Sequence, residues 1–200
     1  TGAGGVLVSG MAMELARRNL AEDRKVALCC SSPWLRNYLD ARISHPDLQV
    51  ITIKQAQRLI GKTSPVDVLI VDEGQDLMNY DDLDILDRLL AGGLSEGTWS
   101  FFYDSNNQTG LVGRWDPKSL EYLHSLGAMS VPLTRNCRNT RPIVEEVERR
   151  TGCQMGLKEQ GDGPRVEVFE TRPGDPPEKK AEEAIDKLIG SGVAMSPITL

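Results

Sequence analysis

Residues Val66 to Leu77 read VDVLIVDEGQDL. An apolar run that stops abruptly at two carboxylates has the pattern of a buried parallel strand with an acidic tip. The carboxyl edge of such a sheet is where ligands of doubly wound folds bind. Two acids placed there have distinct uses. Asp72, at the tip, is suited to hold the magnesium of a nucleotide, directly or through water, while Glu73 orients and deprotonates an attacking water. The competing reading is a buried strand followed by a polar turn, which accounts less well for Gln75 and Asp76 following in tandem.

Short β-branched runs alternate with amphipathic segments of helix length, the signature of an α/β chain with a parallel sheet flanked by helices. Strands are expected at Gly5 to Ser9, Lys25 to Cys30, Leu48 to Ile53, Val66 to Asp72, Trp99 to Asp104, Met129 to Leu133, Arg165 to Glu170 and from Ile198 onward. Helices are expected at Met11 to Leu20, Pro33 to Ala41, Lys54 to Ile60, Asp81 to Leu90, Pro117 to Leu126, Arg141 to Arg150 and Pro177 to Ile189. Pro33 after Ser31-Ser32 and Pro117 after Asp116 are helix-start chemistry. Glycines cluster after Arg150 and RPGDPP follows RVEVFE, so 1–150 reads as one domain and 151–200 as a hinge with the incomplete start of a second.

The VDEGQD segment resembles motif II, the Walker B box, of superfamily 1 helicases of the UvrD/Rep type. Three further segments follow that family's order. SFFYDSNNQTG, Ser100 to Gly110, resembles motif III, and PLTRNCRNT, Pro132 to Thr140, resembles motif IV. ALCCSSPWLRNYL, Ala27 to Leu39, resembles the weaker motif Ia. Motif Ia and motif II lie close together, so the helical insertion of larger members is missing and the compact, nuclease-associated relatives are the nearer comparison.

The resemblance implies a RecA-like P-loop NTPase fold, with ATP and Mg2+ as ligands. Asp72 takes the magnesium-binding position and Glu73 that of the general base, while Gln108 and Arg138 take the positions that contact the terminal phosphate. Cys137 stands where the family has an adenine-stacking aromatic. The family's second-domain motifs, with their arginine finger, have no counterpart up to Leu200.

A motor of this type carries G-x-x-x-x-G-K-[ST] between its first strand and first helix, because backbone N–H groups and a lysine must cradle the phosphates. Two alignments compete. Setting the pattern on Gly2 to Ser9 puts Leu7 and Val8 at the glycine and lysine positions. The second, which suits the apolar Val-Leu-Val run better, takes Gly5 to Ser9 as the strand and Gly10 as the loop's opening glycine, with the rest of the loop absent. Either a loop is omitted or the chain is a pseudo-ATPase. In both cases the sequence as it stands is expected to bind and hydrolyse ATP poorly or not at all.

A net charge of −6, from 23 basic and 29 acidic residues, gives no general attraction for nucleic acid. Any grip on single-stranded DNA must be local. Trp34, Arg36 and Asn37 after the motif Ia strand, and Tyr103, are the candidates, with core packing as the alternative for both aromatics. Arg135, Arg138 and Arg141 would share one face if helical. Apolar residues at 40% and charged residues at 26% exclude a disordered chain, and no apolar run approaches the ~20 residues of a membrane span. Four cysteines without a C-x-x-C pair indicate a reducing, cytoplasmic setting.

The leading expectation is therefore an ATP-dependent DNA helicase or translocase core. The alternative is a non-catalytic helicase-like scaffold that binds DNA or a partner subunit, beside or fused to a nuclease, in a repair, restriction or defence assembly.

Overall fold

The computed structural model describes residues 5–104, 115–133, 135–136, 139–152, 155–158, 161–171, 174 and 176–192. The chain divides into two compact units, 1–163 and 164–200, a boundary later than the composition change after Arg150.

In the first unit, strands β1 (Val26–Cys30), β2 (Leu48–Thr52), β3 (Val68–Val71) and β4 (Thr98–Phe101) form one sheet in the order β2-β1-β3-β4. Every pairing is parallel. Alternation sorts the strands' side chains onto two faces. Ala27, Cys29, Leu69 and Val71 pack on one face against α3 (Ile53–Leu59), α4 (Tyr80–Leu89), α5 (Gly93–Glu96) and α6 (Pro117–Ser125). Val26, Leu28, Val68 and Ile70 pack on the other against α1 (Gly5–Leu20) and α2 (Pro33–Asp40). The result is a three-layer α/β/α sandwich.

Chain direction and helix placement agree. The step from β1 to β2 carries its helix on one face, whereas the steps from β2 to β3 and β3 to β4 run the opposite way with helices on the other. A constant right-handed crossover demands this arrangement. The order reverses between β1 and β3, and such a switch point leaves a crevice at the carboxyl ends of the two strands. Local chemistry starts the helices: Ser32 caps α2 ahead of Pro33, and Thr52 with Gln55 forms a reciprocal capping box on α3.

Three expected strands are not strands. Gly5 to Ser9 belongs to α1, which runs unbroken through Gly10 and Met11 to Leu20. The reason is a buried stripe: Ser9, Ala12, Met13, Ala16 and Leu20 recur at helical spacing and face the sheet. Had Gly5 to Ser9 been a strand, the same handedness would have set it beside β4, an edge unpaired among the described residues.

Met129 to Leu133 and Arg165 to Glu170 are irregular and largely exposed, because neither has a ladder partner among the described residues. The remaining described elements include α7 (Arg141–Thr151), α8 (Pro177–Gly190) and a short parallel pair that the pattern did not announce, β5 (Arg135–Asn136) with β6 (Leu157–Lys158). Arg135 thus lies in a strand and Arg141 opens a helix, so they do not share one helical face. The residues from Ile198 onward lie outside the described set. No described helix is long and apolar enough to cross a membrane.

Candidate functional site at the β1 and β3 strand ends

The VDEGQD turn sits at the switch point, and each of its residues has a definable job. Asp72 continues the ladder beyond β3, its N–H donating to the Cys29 carbonyl at 2.9 Å. Its side chain is fully buried. Ser9 Oγ donates to Asp72 Oδ2 at 2.5 Å, and the Glu73 N–H donates to Oδ1 at 3.1 Å. Burial pushes the Asp72 carboxyl above its ordinary value, and the neighbouring Glu73 charge adds to this; the Ser9 bond and the Glu73 N–H pull the other way. No basic group among the described residues offsets the buried charge.

Glu73 is half-buried and has φ 52° and ψ 45°. This left-handed conformation is strained for a residue with a Cβ, by about 1–2 kcal/mol, and such strain concentrates at functional sites. Gly74 follows because the turn lies tight against β4. Its N–H donates to the Phe102 carbonyl at 2.7 Å, and a Cβ on it would lie 3.2 Å from both Phe101 Cδ1 and the Phe102 carbonyl oxygen.

The next two residues, in the 3-10 turn Gly74–Leu77, tie the acids to both flanking strands. Gln75 Nε2 donates to Glu73 Oε2 at 2.6 Å, while Gln75 Oε1 accepts the Asp104 N–H at 3.0 Å. Asp76 Oδ2 accepts from Ser31 Oγ at 2.7 Å, just past the end of β1. Cys30, beside this network, stays a thiol: burial, and then the Asp72 charge, push it up to about 12.

Of the expected site residues, the structure brings Asp72 and Glu73 together at the sheet edge. Gly10 lies inside α1 rather than in a loop, and nothing approaches the position of a Cβ on it within 4 Å. Gln108 and Arg138 lie outside the described residues.

Among the nucleic-acid candidates, Trp34 is 85% exposed in the first turn of α2, which removes the core-packing alternative for it. Arg36 is committed to the fold, donating to the Val50 carbonyl and to Asn37 Oδ1 and pairing with Asp40. Asn37 is exposed. Tyr103 is half-buried against the core, its ring centroid 6.3 Å from that of Trp115.

Sequence reasoning missed Ser9, Ser31 and Gln75 as site residues. A signal existed for Ser9. It occupies the last position of the G-x-x-x-x-G-K-[ST] pattern set on Gly2 to Ser9, an alignment disfavoured because Leu7 and Val8 stand at the glycine and lysine positions and because the Val-Leu-Val run is apolar.

The buried Asp72 carboxylate and the Ser9 hydroxyl are hard oxygen donors, a set that suits Mg2+ completed by phosphate and water. The cationic side is different. Val8 stands where the pattern requires the lysine. Among the described residues, no group of three or more His, Cys, Asp or Glu forms a metal cluster by itself.

Fold and site together define an α/β domain with an acid pair at the carboxyl edge of an all-parallel sheet. The chain matches no protein-family model, and neither the curated proteins nor the solved structures hold a significant match to it.

Proposed function

We propose that this chain is the core of a superfamily 1 helicase-like ATPase, a RecA-like P-loop domain with the start of a second. Its acid half is assembled and its phosphate-holding half is defective. The observation that carries this reading is the Ser9–Asp72 hydrogen bond, which joins the terminal hydroxyl of a phosphate-loop pattern to the acid at the Walker B strand tip. In this reading Asp72 and Ser9 hold Mg2+, which when bound neutralises charge on the β- and γ-phosphates. Glu73 takes the proton of the attacking water, and Gln108 and Arg138 contact the terminal phosphate.

Val8 in place of lysine removes charge-assisted contacts worth ~1.5–3 kcal/mol each, so ATP affinity falls by tenfold or more. The same substitution favours a second reading, a non-catalytic scaffold that keeps the helicase fold to bind single-stranded DNA or a partner subunit. Titration calorimetry with Mg2+ and a non-hydrolysable ATP analogue separates the two. Micromolar binding supports a working nucleotide site. No heat at millimolar analogue, with the chain folded, supports the scaffold.

A further inference from the structure

We propose that Gln75 is the positioning residue of the acid pair, holding the Glu73 carboxylate and the Asp104 backbone with the two ends of one side-chain amide. This takes from the preceding reading that Glu73 is the working acid of the site. Gln75 is 2% exposed, so its amide is removed from bulk water and must find partners in the fold. The two bonds fix the amide's orientation: only the NH2 end can donate to Glu73 Oε2, at 2.6 Å, and only the oxygen can accept the Asp104 N–H, at 3.0 Å.

The terminal torsion that orients a glutamate carboxylate is broad and roughly two-fold whatever the backbone, so at Glu73 a hydrogen-bond donor is what sets the carboxylate's direction. Gln75 is that donor. Its other end is fastened to Asp104, where the chain leaves β4 on the way to Gln108. A displacement of this strand end is therefore transmitted through one rigid amide to the acid.

The nearest replacements each lose at least one of the two jobs. Glutamate keeps the acceptor for Asp104 but loses the donor and repels Glu73, leucine loses both, and asparagine is one methylene short. Gln75→Glu and Gln75→Leu thus separate the two roles.

The test is NMR on the full chain at pH 7.5 without nucleotide, reading the Glu73 carboxyl carbon shift, exchange of the Asp104 amide proton and exchange of the Gln75 side-chain amide. In the unaltered chain the Gln75 amide protons should exchange at least tenfold more slowly than those of an exposed glutamine; exchange at the exposed rate overturns the proposal without any variant. Gln75→Glu should move the Glu73 carbon resonance and leave Asp104 exchange within about twofold of the original, whereas Gln75→Leu should change both. A Glu73 resonance unmoved in folded Gln75→Glu reduces Gln75 to a support for β4 and overturns the inference. None of these readouts needs ATP, so a failure to bind the nucleotide analogue in calorimetry would defeat the nucleotide-site reading while leaving this inference standing.

Discussion

Ser9 Oγ lies 2.5 Å from Asp72 Oδ2, joining residues 63 positions apart and locking the first helix to the tip of β3. The bond stabilises a carboxylate that burial penalises. Among the described residues no basic group balances that charge, and a small cation would do so.

Stability should report that imbalance. The carboxyl of Asp72 is raised by burial, so the fold holds its proton more tightly than the unfolded chain does. The contribution of this group to stability is therefore greatest below the ordinary carboxylate range and declines as pH rises through the raised value. Asp72→Asn abolishes the decline. In urea unfolding the variant should gain steadily on the original chain as pH is raised from 4 to 8. A difference that stays constant over that range would show that Asp72 is not penalised by burial.

The acid turn carries a second, separable strain. Glu73→Ala and Glu73→Gly both remove the carboxylate that Gln75 holds, so their difference isolates the backbone. Glycine adopts φ near +52° freely and alanine does not. Glu73→Gly should be the more stable of the two by about 1 kcal/mol, read from the urea midpoints. If alanine is equal or better, the turn is not left-handed in solution. Where the chain hydrolyses ATP, both variants should abolish turnover while sparing nucleotide binding.

Trp34 offers a cleaner surface test. Truncating a buried tryptophan costs ~3–5 kcal/mol, whereas Trp34→Ala at an 85% exposed position should change stability by no more than about 0.5 kcal/mol. If the chain binds single-stranded DNA at this edge, the same variant should weaken affinity for an oligo-dT probe in fluorescence anisotropy by about fivefold or more, the value of one lost base stack. Undiminished affinity would remove Trp34 from the interface.

What the sequence disclosed depended on how local the deciding interactions are. β3 was legible because a strand buried on both faces reads as an unbroken apolar run, here VLIV, and its acids lie next in sequence. The starts of α2 and α6 were legible because Ser32, Pro33, Asp116 and Pro117 act within one turn. The Val-Leu-Val run ahead of Ser9 reads equally well as strand. Only packing of the Ser9, Ala12 and Ala16 stripe against β1 and β3 makes it helix. RVEVFE alternates like a strand yet finds no ladder partner among the described residues. The roles of Ser9, Ser31 and Gln75 were hidden for a related reason. The partners of Ser9 and Ser31 lie 63 and 45 positions away. Although Glu73 is close to Gln75 in sequence, the Asp104 N–H that holds the other end of its amide is 29 positions away, so no short pattern contains the whole of any of these roles.

The phosphate-loop pattern on Gly2 to Ser9 departs from its template at two positions, Leu7 and Val8, and this makes it testable by restoration. Leu7→Gly with Val8→Lys rebuilds G-x-x-x-x-G-K-S ahead of the Ser9–Asp72 bond. Stability should fall by about 1 kcal/mol, because a glycine replaces leucine within α1. Affinity should move the other way. One charge-assisted bond from the new lysine is worth ~1.5–3 kcal/mol, so Mg2+-dependent binding of a non-hydrolysable ATP analogue should tighten by roughly ten- to a hundredfold in calorimetry. Adding Asp72→Asn to the restored chain should erase the gain, since the metal loses its carboxylate. A folded double variant that binds no better than the original would mean that Ser9 and Asp72 form a structural tie between α1 and β3, and the nucleotide reading would fall with it.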